Sequence, residues 1–485
     1  MPWPTSPPTA SHRAAYADAE PRSFWLAPAH DSAPALHGVV TADLCIVGGG
    51  FTGLWAALYA KALDPARDVV LLEAETAGFG ASGRNGGFCV ASLTHGIDNG
   101  LARFASEMEV LERLGLENFE GIRSDLARCG IDCDFEATGE LLALTDAYQE
   151  PWIAEERSSL ERFGHRVTVL DGEAMRAEVH SPTYIGGVWD HTGAGVLDPG
   201  KLARGLRDAA VAAGVRVFEH SAVHDLRETA TPSPARASHR SGGDAALEVL
   251  TASARVRARK VLLATSAYPP LLRAISHYVV PVYDYVLVSE PLTDAQLRDI
   301  GWEHRQGIGD GGNQFHYYRL TADNRVLYGG WDAVYRFRGP VGPRWDEHDP
   351  TVATLSQHFF HTFPQLEGVR FTHRWGGAID TSSRFSVFFG TAFAGRLAYA
   401  TGYTGLGVGA ARFGGRTALD LLDGRDTEAT RLRYVRSKPV PFPPEPLRWA
   451  VVQYTRNRLA AADRNNGRRG PWLRLLDALG LGFDS

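Results

Sequence analysis

The pattern of apolar and polar positions predicts a strand that leads directly into a helix near residue 50. Residues 44–47 form a short apolar run, as expected for a buried parallel strand. Glycines follow at Gly48, Gly50 and Gly53. Helical spacing covers about 52–63, and a second apolar run covers 68–72 and ends at Glu73. The pattern therefore predicts strand, tight turn, helix and second strand in succession.

Both periods continue through the rest of the chain, which predicts a mixed α/β protein. Helices are predicted over 101–129, 147–163, 199–213, 409–422 and 447–463. Strands are predicted over 132–145, 166–170, 215–220 and 261–264. Aromatic, alternating segments between 273 and 372 are typical of long antiparallel strands.

The three glycines have separate tasks in a nucleotide-binding turn. Gly48 permits the turn, Gly50 lets the backbone approach a pyrophosphate, and Gly53 lets helix and strand pack closely. The helix aims its unpaired N–H groups and positive dipole end at the phosphates. The carboxylate of Glu73 is placed to accept hydrogen bonds from a ribose. Because strand, helix and acid agree, a glycine-rich loop without a ligand is the weaker interpretation.

A second loop of small residues, 78–87, follows the ribose acid closely. A nicotinamide cofactor would not need a second binding loop at that position. A flavin needs its isoalloxazine ring held as well as its phosphates, so the loop favours FAD.

The segment GASGRNGG at residues 80–87 resembles the FAD-dependent oxidoreductases like D-amino acid oxidase, especially the subgroup with glycine oxidase, sarcosine oxidase and gamma-glutamylputrescine oxidase. Four further segments match that family in order: GVLDPGKLARGL from Gly195, VLLATSAY from Val261, FHYYRLTADNRVLYGG from Phe315 and ATGYTGLGVG from Ala400. The resemblance spans about residues 38–425. It implies a Rossmann-like FAD-binding domain of the glutathione-reductase and D-amino acid oxidase type, with an inserted substrate domain built on an antiparallel sheet.

These features divide the chain into domains. Residues 1–37 are expected to form a segment that leads to the first strand, and the first 25 of them are expected to be a flexible tail. The discontinuous FAD-binding domain is expected over 38–100, 185–272 and 373–424, and the substrate domain over 101–184 and 273–372. Residues 425–485 form a C-terminal extension, and 228–244 are expected to be a mobile surface loop.

The resemblance implies that FAD is held noncovalently by three glycine-rich segments, the third of which precedes a helix N-terminus. The expected FAD contacts are Gly48, Gly50, Phe51, Thr52, Gly53, Glu73, Ala74, Gly80, Ala81, Ser82, Gly83, Arg84, Asn85, Gly86, Gly87, Val223, Ala264, Thr265, Gly402, Tyr403, Thr404, Gly405, Leu406 and Gly407.

The resemblance also implies oxidation of a carbon–nitrogen bond in a small amine. Hydride passes from the α-carbon to the flavin, the imine hydrolyses, and O2 or another acceptor takes the electrons. Aromatic walls exclude water and hydroxyls orient an amine, so the candidate catalytic residues are Tyr283, Tyr285, His316, Tyr318 and Trp375. Ordinary sheet core is an equally good interpretation of each one.

Three positions depart from the family. Sarcosine-oxidase-like members carry a substrate-binding lysine where this chain has Gly409, which disfavours a simple amino acid as substrate. None of the four lysines lies in a segment that matches the family's oxygen-activating lysine, so an arginine such as Arg273 or a different acceptor would serve. The family's covalent flavin link uses a cysteine near His316, so noncovalent FAD is expected, with a histidyl link as the alternative.

Composition narrows the function classes. The net charge of −6 gives no general attraction to nucleic acid or acidic membranes. The four cysteines show no CxxC pair, and His358 and His361 lack a third ligand, so no metal is expected. No run reaches the roughly 20 apolar residues of a membrane span. We therefore expect a cytoplasmic enzyme.

Two alternatives stay open. One is an FAD enzyme of another class, such as a hydroxylase or a biosynthetic desaturase, although the sequence shows no second strand–GxGxxG–helix unit that would form a nicotinamide domain. The other is a noncatalytic flavoprotein subunit that docks through its C-terminal extension.

Overall fold

The computed structural model of the chain describes residues 3–28, 31–229 and 246–482. Most of the loop expected at 228–244 therefore lies outside the described residues. The described residues form two large sheets and one small sheet, flanked by helices. This arrangement confirms the expected α/β class.

The first large sheet has eight strands in the described part of the chain: β1 Gly38–Val47, β2 Val69–Leu72, β8 Arg216–Phe218, β9 Val223–Glu228, β10 Leu247–Thr251, β11 Ala254–Leu263, β18 Phe388–Ala392 and β19 Leu397–Thr401. Strands β19, β11, β1, β2 and β8 are parallel neighbours in that order. β18 pairs antiparallel with β19, and β10 and β9 form an antiparallel branch from β11. β1 thus lies inside the sheet, which suits its apolar second half.

The second large sheet has nine described strands: β4 Glu140–Leu144, β5 Val167–Asp171, β6 Gly186–Asp190, β12 Val280–Ser289, β13 Gly307–Asp310, β14 His316–Leu320, β15 Val326–Gly330, β16 Val334–Tyr335 and β17 Phe371–Thr381. Its order is β16-β12-β15-β14-β13-β4-β6-β5, and β17 pairs with the length of β12. All pairs are antiparallel except β13 with β4. Two further strands, β3 Phe88–Val90 and β7 Ala194–Val196, form the small sheet.

The helices of the described residues are α1 Ala10–Ala15, α2 Phe51–Leu63, α3 Ile97–Phe104, α4 Met108–Cys129, α5 Glu150–Arg162, α6 Gly172–Glu178, α7 Pro199–Ala212, α8 Asp294–Ile300, α9 Asp349–Thr362, α10 Gly407–Asp423, α11 Glu428–Arg431, α12 Arg433–Arg436, α13 Leu447–Arg464 and α14 Pro471–Ala478. α2, α7 and α10 pack together over the eight-stranded sheet, and α9 covers the nine-stranded sheet. The single helix expected over 101–129 is two helices, because the chain tightens into a 3-10 turn at Ala105–Glu107.

The chain crosses between the sheets slightly later than the predicted domain boundaries. β6 begins at Gly186 and still belongs to the nine-stranded sheet, although the boundary was expected at 185. β17 stays in that sheet until Thr381, although the boundary was expected at 373. Both crossings occur where a strand of the nine-stranded sheet ends.

The N-terminal segment is folded, which corrects the expectation of a flexible tail. Helix α1 is capped by Thr9, and Trp3, Tyr16 and Trp25 are buried. The Trp3 ring stacks on His358, with 4.9 Å between the ring centroids. Aromatic side chains thus supply the apolar area that holds a proline-rich segment against the body.

The C-terminal extension runs along one end of the nine-stranded sheet. Arg456 pairs with Asp332 at 3.1 Å. Asp463 accepts hydrogen bonds from the backbone N–H groups of Asn313 and Gln314. The extension therefore packs on the body of its own chain.

Candidate active site

The first glycine turn joins β1 to α2 at very close range. Gly48 has a φ of +110°, and a β-carbon there would overlap the carbonyl oxygen of Ala264. A β-carbon at Gly53 would overlap the carbonyl oxygen of Gly48. Both positions therefore require glycine, and strand and helix meet as a dinucleotide turn needs.

Helix α2 begins at this turn and points its N-terminus at loop 80–87. Its N-cap residue, Gly50, has no side chain with which to cap the helix. The N–H of Phe51 donates to Ser82 Oγ at 2.9 Å, which ties the loop to the helix start. Thr52 and Gly53 follow in the first turn. The positive end of the helix dipole thus lies at a turn and a loop of small residues, as a pyrophosphate site requires.

The carboxylate of Glu73 lies beside the same turn. Its Oε2 accepts a hydrogen bond from Gly49 N at 2.6 Å, and Oε1 accepts one from Glu75 N at 3.0 Å. Burial raises the pKa of the Glu73 carboxyl, and these hydrogen bonds oppose the shift. The acid is thus fixed at the end of β2, with exposed Ala74 after it, where a ribose would reach it.

Three other predicted contacts flank the turn. The N–H of Ser221 donates to the carbonyl oxygen of Glu73 at 2.8 Å, which places Val223 close to the ribose acid. The N–H of Ala264 donates to the carbonyl oxygen of Val47 at 2.8 Å, and Thr265 follows it. These backbone contacts place Ser221, two residues before Val223, and the end of β11 next to the turn, on the flanks of β2 and β1 respectively.

Polar side chains shape loop 80–87 from inside. Asn85 Nδ2 donates to the carbonyl oxygens of Ala81 and Ser82, and Asn85 Oδ1 accepts from Gly87 N at 2.8 Å. Arg84 Nη1 pairs with Asp346 Oδ2 at 2.5 Å. The other members of the loop are small: Gly80, Gly83 and Gly86. The structure therefore gives Arg84 and Asn85 the task of holding the loop in shape.

The third glycine loop, 402–407, meets the first turn in space. Thr52 Oγ1 donates to Tyr403 Oη at 2.8 Å, and both side chains are buried. Thr404 has a left-handed φ of +53° and Gly405 one of +92°. After Leu406, helix α10 begins at Gly407, with no side-chain cap from its N-cap residue. The two turns are neighbours, as they must be to hold one FAD.

Asp380 holds the start of loop 402–407 by hydrogen bonds. It was not among the residues that the sequence analysis proposed for the site. Its Oδ2 accepts hydrogen bonds from Gly402 N at 2.6 Å and Thr401 Oγ1 at 3.2 Å. Burial raises the pKa of Asp380 to about 6. The available signal was a lone acid directly after the apolar run 375–379.

The two faces of the nine-stranded sheet have different neighbours. One face, here called the helix side, packs against α9. The other, here called the loop side, packs against loop 80–87. Because successive strand residues point to opposite faces, adjacent residues have different surroundings.

Four of the five candidate catalytic residues lie on the helix side, and His316 and Tyr318 are buried there. His316 Nδ1 is 2.8 Å from Asp310 Oδ2, and its Nε2 is 3.0 Å from His358 Nδ1. Tyr318 Oη shares a hydrogen bond of 2.8 Å with Tyr184 Oη. Burial holds the pKa of His316 well below its usual range. These groups are bonded to partners away from loop 80–87.

Tyr283 and Tyr285 also lie on the helix side. Tyr283 Oη accepts a hydrogen bond from Gly342 N at 3.1 Å. Tyr285 Oη donates to the carbonyl oxygen of Trp345 at 2.9 Å. Both hydroxyls thus fasten the 342–345 segment to the sheet.

The loop side carries the fifth candidate, Trp375, and three residues that the sequence interpretation missed: Asp284, Tyr317 and Arg319. Trp375 Nε1 donates to the carbonyl oxygen of Arg84 at 2.9 Å. Arg319 Nη1 donates to the carbonyl oxygen of Leu197 at 2.6 Å. The available signal was the alternation itself, since Asp284 and Tyr317 each lie between two chosen residues.

The ring of Tyr317 lies between two glycines. A β-carbon at Gly86 would lie 2.6 Å from the ring, and one at Gly329 would lie 2.7 Å from it. The hydroxyl donates to Asp284 Oδ2. A β-carbon at Gly309, which pairs with Tyr317, would meet no atom within 4 Å. Open space therefore adjoins Tyr317 on the loop side.

Gly409 packs directly against β3. A β-carbon at this position would overlap the backbone carbonyl of Val90. The lysine of sarcosine-oxidase-like members thus has neither a counterpart nor room here.

The described residues contain no cluster of three or more His, Cys, Asp or Glu side chains that could hold a metal ion. Among the helices of that same part of the chain, none is both long and apolar enough to cross a membrane.

Comparison with known proteins agrees with the motifs. The profile of the family described as "FAD dependent oxidoreductase" (DAO) matches residues 43–421. The chain is 36% identical over 435 residues to the gamma-glutamylputrescine oxidoreductase of Escherichia coli K12, covering 87% of this chain and 93% of that protein. It is 30% identical over 400 residues to the probable oxidoreductase OrdL of Haemophilus influenzae, covering 81% and 85%.

Solved structures share the fold. Glycine oxidase from Geobacillus kaustophilus gives a TM-score of 0.63 at 19% identity, covering 84% of this chain and all of that one. L-proline dehydrogenase from P. horikoshii gives 0.62 at 16% identity, covering 80% and 95%. As the motifs predicted, this chain belongs to the DAO family of FAD-dependent oxidoreductases.

Proposed function

We propose that the protein oxidises the carbon–nitrogen bond of a small amine to an imine, which then hydrolyses, and passes the electrons to O2 with formation of H2O2. The observation that carries the proposal is the hydrogen bond between Thr52 and Tyr403. Because it joins the two glycine turns, it supports a single cofactor site shared by both, next to the loop side of the nine-stranded sheet. The relative named for gamma-glutamylputrescine supports an acylated diamine as the substrate class.

FAD, when bound, supplies the hydride acceptor. The chain's own residues bind, orient and exclude water. Loop 402–407 and the start of α10 direct backbone N–H groups and a positive dipole end toward the ligand, which stabilises negative charge there. Tyr317 and Trp375 form an apolar wall on the sheet.

The surroundings of Gly409 limit the substrate. Because no side chain fits there, a carboxylate next to the reacting carbon has no cation at the position that sarcosine-oxidase-like members use. An amine whose carboxylate is remote or masked suits the site better than a simple amino acid.

Anaerobic titration of the purified flavoprotein tests the proposal. Gamma-glutamylputrescine, N-acetylputrescine, putrescine, sarcosine and D-amino acids are added in turn while the visible flavin absorbance is followed. We expect an acylated diamine to bleach the flavin, and admitted O2 to restore the colour with one H2O2 per amine. Bleaching only by NAD(P)H would instead indicate a hydroxylase. Bleaching by amine without reoxidation by O2 would contradict the acceptor, and no bleaching would contradict the whole proposal.

A further inference from the structure

We infer that Asp284, together with the hydroxyl of Tyr317, forms the subsite that recognises the positively charged nitrogen of the substrate. The inference rests on the proposed amine oxidation and adds the residue that binds the cation. Aliphatic amines are protonated at neutral pH, as the usual pKa of about 10.4 for lysine shows. An amine therefore arrives as an ammonium ion, and a carboxylate beside the cofactor site is the natural partner for it.

Asp284 faces the cofactor site because of its strand register. It lies on β12, opposite Gly377 of β17, whose β-carbon position is 3.2 Å from the Cβ of Arg84 in loop 80–87. Its neighbours along β12, Tyr283 and Tyr285, point to the helix side. Asp284 is thus the carboxylate that β12 presents on the loop side.

The hydrogen bonds of Asp284 are all donated by neutral groups. Oδ1 accepts from Tyr285 N at 2.8 Å, and Oδ2 accepts from Tyr317 Oη. The Gly330 backbone donates a further hydrogen bond. These donors orient the carboxylate and leave its charge uncompensated.

The charged groups around Asp284 are already paired with other residues. Arg84, behind Gly377, pairs with Asp346 at 2.5 Å. Asp332, whose charge acts on Asp284, pairs with Arg456 of α13 at 3.1 Å. Within the residues that the structure describes, Asp284 takes part in no ion pair. A partly buried carboxylate without a cation is costly, and a cationic ligand would remove that cost.

Burial raises the pKa of Asp284 to about 6, so the group is ionised at neutral pH. The ring of Tyr317 is fixed between Gly86 and Gly329, which holds its hydroxyl against the Asp284 carboxylate. The open space beside Gly309 gives room for such a ligand.

The test uses the FAD-loaded protein and a tertiary-alkyl primary amine, which has no α-hydrogen and cannot be oxidised. Its dissociation constant is measured anaerobically from the change in the flavin spectrum, with the matching neutral alcohol as a second probe. We expect Asp284→Asn to weaken binding of the amine by about 10- to 100-fold and to leave the alcohol unchanged. Tyr317→Phe should weaken it by about 3- to 10-fold.

Tyr318→Phe, one residue away on the helix side, is the matched control and should stay within about twofold of wild type. The affinity of the wild type should rise as the pH rises through about 6, and this dependence should disappear in Asp284→Asn. Unchanged amine affinity in Asp284→Asn would overturn the inference. If that variant does not retain FAD, Tyr317→Phe decides alone, and wild-type affinity in it overturns the inference.

The outcomes separate this inference from the proposed function. Amine binding that depends on Asp284 without flavin bleaching by any amine would support the subsite and contradict amine oxidation. Flavin bleaching by an amine, together with unchanged amine affinity in Asp284→Asn, would support amine oxidation and contradict the subsite.

Discussion

The eight-stranded and nine-stranded sheets contribute different parts of the chain to the proposed cofactor site. The eight-stranded sheet contributes backbone: Gly48 and Gly53 remove side chains so that β1, α2 and a ligand can meet. The nine-stranded sheet contributes side chains, and Asp284, Tyr317 and Trp375 lie on its loop side, where we propose that the substrate binds. Where the backbone forms the site, as at the glycine turn, almost no added atom is tolerated. Where side chains form it, as on the nine-stranded sheet, residues that point away from the site can be substituted.

The largest expected effect is at Gly53. Gly53→Ala would press a methyl group into the carbonyl of Gly48, and this overpacking should lower the free energy of unfolding by about 3 kcal/mol. We also expect the variant to purify with little FAD. Gly470→Ala is the control, since its β-carbon meets no atom within 4 Å. Chemical denaturation and the flavin-to-protein ratio measure both effects, and a fully loaded Gly53→Ala would contradict the backbone role of this turn.

A second prediction concerns His165, which bridges β6 and α4 through Asp190 at 2.7 Å and Glu112 at 3.1 Å. Burial alone lowers the pKa of His165, but the two hydrogen-bonded carboxylates outweigh it and raise the pKa to about 9. Because this value exceeds the unfolded value of about 6.5, the stabilisation is complete below pH 6.5 and is lost as the pH rises through 9. It amounts to about 2 kcal/mol, because solvent screens part of the attraction.

The measurement compares wild type with His165→Gln by denaturant unfolding at pH 6 and pH 10. Their difference in unfolding free energy should shrink with rising pH. A difference that is equal at both pH values would show that the ion pairs of His165 with Asp190 and Glu112 do not stabilise the fold.

A third prediction tests the junction of the two glycine turns. Thr52→Val and Tyr403→Phe each remove one partner of a buried hydrogen bond, which should cost about 1 kcal/mol each. The double variant should cost less than the sum, with a coupling energy of about 1 kcal/mol. Unfolding of the holoprotein and the dissociation constant of FAD are the two measurements. Strict additivity would mean that the two turns act independently.

The smallest effect is expected on the helix side. Tyr318→Phe loses the hydrogen bond to Tyr184 and should lower the free energy of unfolding by about 1 kcal/mol. The ratio kcat/KM should stay within about twofold of wild type, because the hydroxyl faces away from the cofactor site. A large loss of kcat/KM without a loss of stability would reverse the assignment of the two faces.

The glycine turn was predictable from sequence because its constraints are local. Gly48, Gly53 and Glu73 lie within a few tens of residues of each other, and each requirement follows from backbone geometry. The faces of the nine-stranded sheet were not predictable in the same way. Tyr283 and Asp284 are adjacent, and what lies against each depends on loop 80–87 and helix α9, which are distant in sequence.

The N-terminal segment shows the same limit. Its proline-rich composition indicated a flexible tail, yet Trp3 is buried against residues more than 300 positions away. The composition of a segment indicates whether it can fold alone. It does not show whether another part of the chain offers a surface on which the segment can pack.

The hydrogen bond between Thr52 and Tyr403 spans 351 residues of chain, and this separation constrains biosynthesis. Tyr403 leaves the ribosome only when most of the polypeptide has been made. Until then, the dinucleotide turn at the start of the chain lacks its hydrogen-bond partner. Flavin capture therefore requires loop 402–407 to have been translated, and a protein truncated before α10 should purify without flavin.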